Sequence, residues 1–186
     1  MIGNIIAASL DIAAAVSTNS YESIATYNLA TTTASVTFSS ISSSYTHLQV
    51  RAIAKSSTTG TSVNDMWIRF NGDTGSNYAW HYLMGVGSTV LAGSGATQTK
   101  CLVPNPAPYV GNTPFGTIVM DVLDYGNTNK YKTARSLAGA DLNGTGWVSL
   151  SSGLWMNTAA ITSITLLPGA DSFVQYSSFA LYGIKG

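Results

Sequence analysis

Two histidines, eight carboxylates and one cysteine are the side chains of this 186-residue sequence with the types needed for acid–base, metal or nucleophilic chemistry. His47 and His81 fall in segments that read as strands, without a second histidine at metal-ligand spacing. Each therefore reads as a surface imidazole or a satisfied core one. A Ser–His–Asp hydrolase would need one of them beside an acid and a nucleophilic serine, and no G-x-S-x-G elbow is present. A glycosidase pair would draw on Asp121 and Asp124 with Asp65 or Asp73. Three residues apart in a strand, Asp121 and Asp124 point to opposite faces and do not pair within it. Cys101 stands alone, which excludes an intrachain disulfide and a thiolate zinc cluster, and it reads as a small apolar strand residue. The run N-G-D-T-G-S-N at 71–77 is oxygen-rich like a calcium loop. It holds one carboxylate and no closing glutamate, so it reads as a hairpin loop. Asn143-Gly144-Thr145 fits the glycosylation sequon, but Asn-Gly is equally a turn pair. No catalytic residue, cofactor or metal is expected, and the chain does not read as an enzyme.

Aromatic residues carry more information. In Y-A-W-H-Y at 78–82, Tyr78, Trp80 and Tyr82 share one face of a strand. Three large rings on one face form core or a subunit interface, and the sharper alternative is a surface that stacks on sugar rings. Composition supports assembly. Charged residues make up 9% of the chain, against about 25% in ordinary soluble domains. Eight basic and eight acidic side chains cancel, and a neutral surface promotes association. Ser, Thr and Asn take the places of Lys and Glu. The scattered Lys and Arg form no basic stripe, so nucleic acid is not an expected partner. No apolar run reaches the ~18 residues of a membrane-spanning helix, and residues 1–16 lack the basic start of a signal peptide.

The elements that must position these residues are strands. Residues 46–54 alternate, with Leu48, Val50, Ala52 and Ala54 facing in and His47, Gln49 and Arg51 facing out. Further strands are expected at 22–29, 34–41, 65–70, 78–87, 115–125 (the longest), 130–138, 147–156, 161–167 and 176–184, with a brief pairing at 100–103. Asn71-Gly72 reads as a tight hairpin turn, 139–146 as a turn, and 55–64, 88–99 and the proline-rich 104–114 as loops or small, glycine-rich segments. Residues 163–186 read as two strands around a Pro168-Gly169 turn, with the second tied into the core. Roughly nine or ten strands with turns every ~8–12 residues, and no helical periodicity, predict an all-β antiparallel sandwich of jelly-roll type. It spans residues 21–186 behind a short N-terminal arm, 1–20. Ile5, Ile6, Leu10 and Ile12 are the arm's candidate attachment residues.

Several segments resemble a group of small tailed-phage virion proteins: T-N-S-Y-E-S-I-A-T at 18–26, Y-T-H-L-Q-V-R at 45–51, F-N-G-D-T-G-S-N-Y-A-W-H at 70–81, D-Y-G-N-T-N-K-Y-K at 124–132, S-G-L-W at 152–155, I-T-S-I-T-L at 161–166 and the run 176–186. The resemblance implies a jelly-roll module carried on a virion. It points first to a capsid decoration (cement) protein that binds the outer capsid surface as a homotrimer. Its partners would be its own copies and the major capsid protein, and its location the capsid surface rather than the tail. The alternative is a receptor- or carbohydrate-binding module of a tail fibre or head fibre, with a host-surface glycan as ligand. No fibre-shaft repeat or heptad is visible. The resemblance transfers no catalytic residue.

Overall fold

The computed structural model describes residues 20–59, 64–103, 114–144 and 146–186. The expected arm residues Ile5, Ile6, Leu10 and Ile12, and most of the proline-rich loop, lie outside them. Within the described residues twelve strands run in chain order: β1 Tyr21–Asn28, β2 Val36–Phe38, β3 His47–Ala54, β4 Met66–Phe70, β5 Tyr78–Val86, β6 Thr89–Gln98, β7 Cys101–Val103, β8 Gly116–Leu123, β9 Lys132–Asp141, β10 Gly146–Trp155, β11 Ile164–Pro168 and β12 Ser178–Ile184. Among the described residues there is no helix. Eight strands form one antiparallel sheet in the order β1-β12-β3-β8-β9-β10-β5-β6, and four form a second in the order β2-β11-β4-β7. The chain is an all-β sandwich, as its alternation predicts.

The core lies between the sheets. Leu48, Val50, Ala52 and Ala54 of β3 face inward as expected, joined by Ile118, Met120 and Val122 of β8 and by Phe179 and Leu181 of β12. Against them pack Val36 and Phe38 of β2, Met66, Ile68 and Phe70 of β4, and Ile164 and Leu166 of β11. The strand β12 sits between β1 and β3 and sends Phe179 and Leu181 into the core, so it is tied in as the sequence suggests. One lane of the large sheet is built from small residues. Beyond Lys132, the buried positions of β9 are Ala134, Ser136, Ala138 and Ala140, and those of β10 include Ser149, Ser151 and Gly153. Ser136 and Ser151 satisfy each other at 2.6 Å, so neither hydroxyl is left unpaired in the interior. The short edge strand β7 seats on this lane, with Cys101 Sγ filling the space that a side chain at Gly153 would take. Burial pushes the Cys101 thiol up to about 12, as befits an inert core sulfur.

The structure corrects several sequence expectations. The run 88–99 contains a ten-residue edge strand, β6. Its glycines hide it from a propensity reading, but in the fold Trp80 lies over Gly95 and Tyr82 over Gly93, so rings from β5 cover the bare backbone. Asn71 and Gly72 do turn tightly, both with positive φ (52° and 66°), but β4 and β5 belong to different sheets. The Asn-Gly pair is a corner between sheets and not a hairpin. The same holds for Pro168-Gly169, since β11 and β12 also lie in different sheets. The strand β8 spans eight residues and is shorter than β9 and β10, which have ten each, because Asp124 turns the chain with φ 47°. Within the expected turn 139–146, β9 continues to Asp141 before β10 begins at Gly146.

A methyl group at Gly153 would overlap Cys101 Sγ. Gly153→Ala is expected to cost about 1–3 kcal/mol through overpacking. Gly153→Ala combined with Cys101→Ala should recover part of that loss in urea unfolding, and strictly additive effects would contradict the contact.

Candidate binding surfaces

Tyr78, Trp80 and Tyr82 do share the inward face of β5, yet they have different surroundings. Tyr78 is fully buried and stacks between Phe70 and Trp155, with ring centroids 6.4 Å from each. Its hydroxyl accepts the Phe70 amide at 3.0 Å, and burial pushes its pKa up to about 12. It is therefore a core residue, which removes it from any sugar-facing or subunit-facing set. Trp80 and Tyr82 are half-buried and stack at 6.0 Å. Trp67 meets Trp80 edge-on at 6.3 Å, and the Lys100 ammonium lies 4.6 Å over the Trp67 ring. Lys100, Trp67, Trp80 and Tyr82 thus form a ladder that closes the β7 edge of the sandwich. The glycines of β6 lie against both Trp80 and Tyr82.

The loop 71–77 uses its polar groups internally. The Asp73 carboxylate accepts the Gly75 amide at 2.8 Å, the Asn77 side-chain amide at 2.9 Å and the Trp155 indole N–H at 2.7 Å. Asn71 accepts the Thr162 and Ser163 amides at 2.8 and 3.1 Å and donates to the Ala160 carbonyl at 2.8 Å. Both side chains brace the corner between the sheets. Among the described residues no group of three or more His, Cys, Asp or Glu is placed to hold a metal ion.

His47, Asp124 and Lys130 meet just beyond β8, with His47 Nδ1 3.4 Å from the Asp124 carboxylate, while His81 and Asp121 lie apart from them. His47 Nδ1 accepts the Asp124 amide at 3.0 Å. Asp124 lies one residue beyond β8, pairs with Lys130, and has its carboxyl held low chiefly by that lysine. His81 is exposed on the outer face of the large sheet, in register with Ser94 and Ser152. Asp121 shares that face but lies three strands away, about 14 Å at ordinary strand spacing. It is bonded to Gln49 at 2.8 Å and to Arg135 at 3.2 Å. Gln49 points to the outer face as expected but is buried, because its amide is tied between Asp121 and Arg51. Arg51 itself lies over Tyr182 and Tyr21, at 5.1 and 5.8 Å from their ring centroids.

The outer face of the large sheet carries a feature the sequence reading missed. Register aligns Val119 of β8, Leu137 of β9, Leu150 of β10 and Leu83 of β5 into one transverse row. These four are 41–57% exposed. A second row holds Ile53, Thr117, Gly139, Val148, Gly85 and Val90, with Ile53, Val148 and Val90 at least half exposed. On the other side of the central row runs a polar one: Gln49, Asp121, Arg135, Ser152, His81 and Ser94. A sheet face toward water normally alternates to polar residues. The apolar outward positions are visible strand by strand in the sequence, but their alignment depends on registers that the sequence does not print.

No protein-family model matches the chain, and neither a curated protein nor a solved structure is significantly similar to it.

The Asp73 carboxyl is held below its ordinary range, first by the Trp155 indole hydrogen bond, then by Asn77 and Gly75, against the opposing effect of burial. A depressed folded-state pKa contributes stability that is complete above the unfolded value of ~3.9 and is lost as pH falls through the folded value. Asp73→Asn should therefore flatten the acid limb of the stability–pH curve below about pH 4. An unchanged acid limb would refute the assignment.

Proposed function

We propose that the protein is a non-enzymatic adhesion module of a virion, of the capsid decoration type. One observation carries the reading: a row of exposed Val and Leu side chains four strands wide, on a chain whose charges sum to zero. Contiguous apolar surface beyond a few hundred Å² marks an interaction site. A sparsely charged surface can be covered by another protein with few ions to desolvate. The virion context, the kinship with jelly-roll modules and the major capsid protein as partner rest on the segment resemblance given above. The mechanism is mechanical. Interfaces of about 1,600 Å² repeated over many copies add by avidity, and together they raise the cost of separating capsomers under genome pressure. The resemblance favours a threefold assembly, whereas the rows of the outer face favour a twofold one.

The second reading, a carbohydrate-binding module of a tail or head fibre, rests on the half-exposed ladder Trp67, Trp80 and Tyr82. It is weaker because β6 already covers part of Trp80 and Tyr82.

Quantitative mass spectrometry of purified particles separates the two. Decoration predicts copies in numbers comparable to the capsomers, together with heads that lose their genome at lower temperature when the protein is removed. A handful of copies per particle, with glycan binding abolished by Trp80→Ala, would replace the leading reading with the second.

A further inference from the structure

We infer that the outer face of the large sheet pairs with the same face of a second copy, about a two-fold axis that runs parallel to the strands between β9 and β10. The rows of the face are self-complementary about that axis. Such an axis lays β9 over the partner's β10, β8 over β5, and β3 over β6. In the central row Leu137 then meets Leu150 of the partner subunit, and Val119 meets Leu83 of the partner subunit. In the polar row Asp121 comes opposite His81 of the partner subunit, and Arg135 opposite Ser152 of the partner subunit. In the next row large residues meet small ones: Val148 faces Gly139 of the partner subunit, and Thr117 faces Gly85 of the partner subunit. At the other margin Leu123, in register with Thr133 and Leu154, comes over Ala79 of the partner subunit. A two-fold across the strands fits less well, because it would set Gln49, Ser152 and Ser94 over Ile53, Val148 and Val90 and leave Asp121 over Thr117.

Size and charge agree with a second copy as the occupant. Six strands and four rows make a patch of roughly 25 Å on each side, on the order of 700 Å² per copy. Standard interfaces bury about 800 Å² per partner. A shallow hollow of about 440 Å³ lined by His81, Leu83, Arg135, Leu150 and Ser152 lies opposite Val119 and Asp121 of the partner subunit. The apolar centre with a polar margin has the anatomy of an interface. Two electroneutral copies meet without net repulsion. Aligned sheet packing at about −30° is the ordinary geometry for two such faces.

The inference deepens the adhesive reading and rests on it. Mass in free solution tests the pairing alone and particle copy number tests the reading, so the two can fail separately. Sedimentation equilibrium of the full chain should give the mass of two chains. Leu137→Glu and Leu150→Glu, at exposed positions that leave the core intact, should each weaken association at least tenfold while far-ultraviolet circular dichroism stays unchanged. Nitroxides placed at the periphery, on Ser94→Cys of β6 and Thr26→Cys of β1, should report intermolecular separations of roughly 25 Å and roughly 45 Å, in that order. A single-chain mass, including one that arises because residues 1–20 of the same chain cover the face, would overturn the inference. So would a three-chain mass, a two-chain mass unaffected by both Leu→Glu changes, or equal separations at the two labels.

Discussion

A sheet has two faces, and an eight-stranded sheet backed by four strands can hide at most one of them. That constraint organises the whole molecule. The inner face is buried by an arrangement that depends on residue size: large side chains on β3, β8 and β12 meet large ones on β2, β4 and β11, while the Ala, Ser and Gly lane of β9 and β10 lets β7 settle close. Each fully buried Leu, Ile or Phe contributes about 1.5–3 kcal/mol, so the inner face alone supplies the large favourable term for folding. The outer face has no second layer of the same chain among the described residues, and yet its central row is aliphatic. Leaving four such side chains in water forgoes comparable burial, which a second molecule can recover.

Charge plays a local part. Glu22 pairs with Lys185, Asp121 with Arg135 and Asp124 with Lys130. Each pair has at least one partner well exposed to water, which screens it and makes it minor for stability. They leave little field to steer a charged ligand. Lys132 is different: it is fully buried, and its ammonium donates to the carbonyls of Asn127, Lys130 and Thr158. It ties the β8–β9 turn to the segment after β10 and acts as a strut, with desolvation first among the causes that lower its pKa.

How much was legible in the sequence depended on whether a signal was local. The alternation L-x-V-x-A-x-A in β3 gave the strand and its buried face correctly, because period two is a property of one strand. The glycine spacing of β6 became readable only once Trp80 and Tyr82 were known to lie across from Gly95 and Gly93. Asn71-Gly72 and Pro168-Gly169 read as turns from their residue types, but a turn does not state which sheet receives the next strand. The shared face of Tyr78, Trp80 and Tyr82 was legible, while the burial of Tyr78 depends on Phe70 and Trp155 arriving from other strands. The apolar row of the outer face was invisible for the same reason, since it exists only after four strands take their registers.

If the outer face is held for another copy, the folded state is stabilised by mass action, and its stability must rise with protein concentration. The most direct measurement is the thermal unfolding midpoint of the full chain across a wide range of concentrations. A midpoint that climbs steadily with concentration, and loses that dependence in Leu150→Glu, is the predicted result. A midpoint independent of concentration in the unaltered protein would contradict the account.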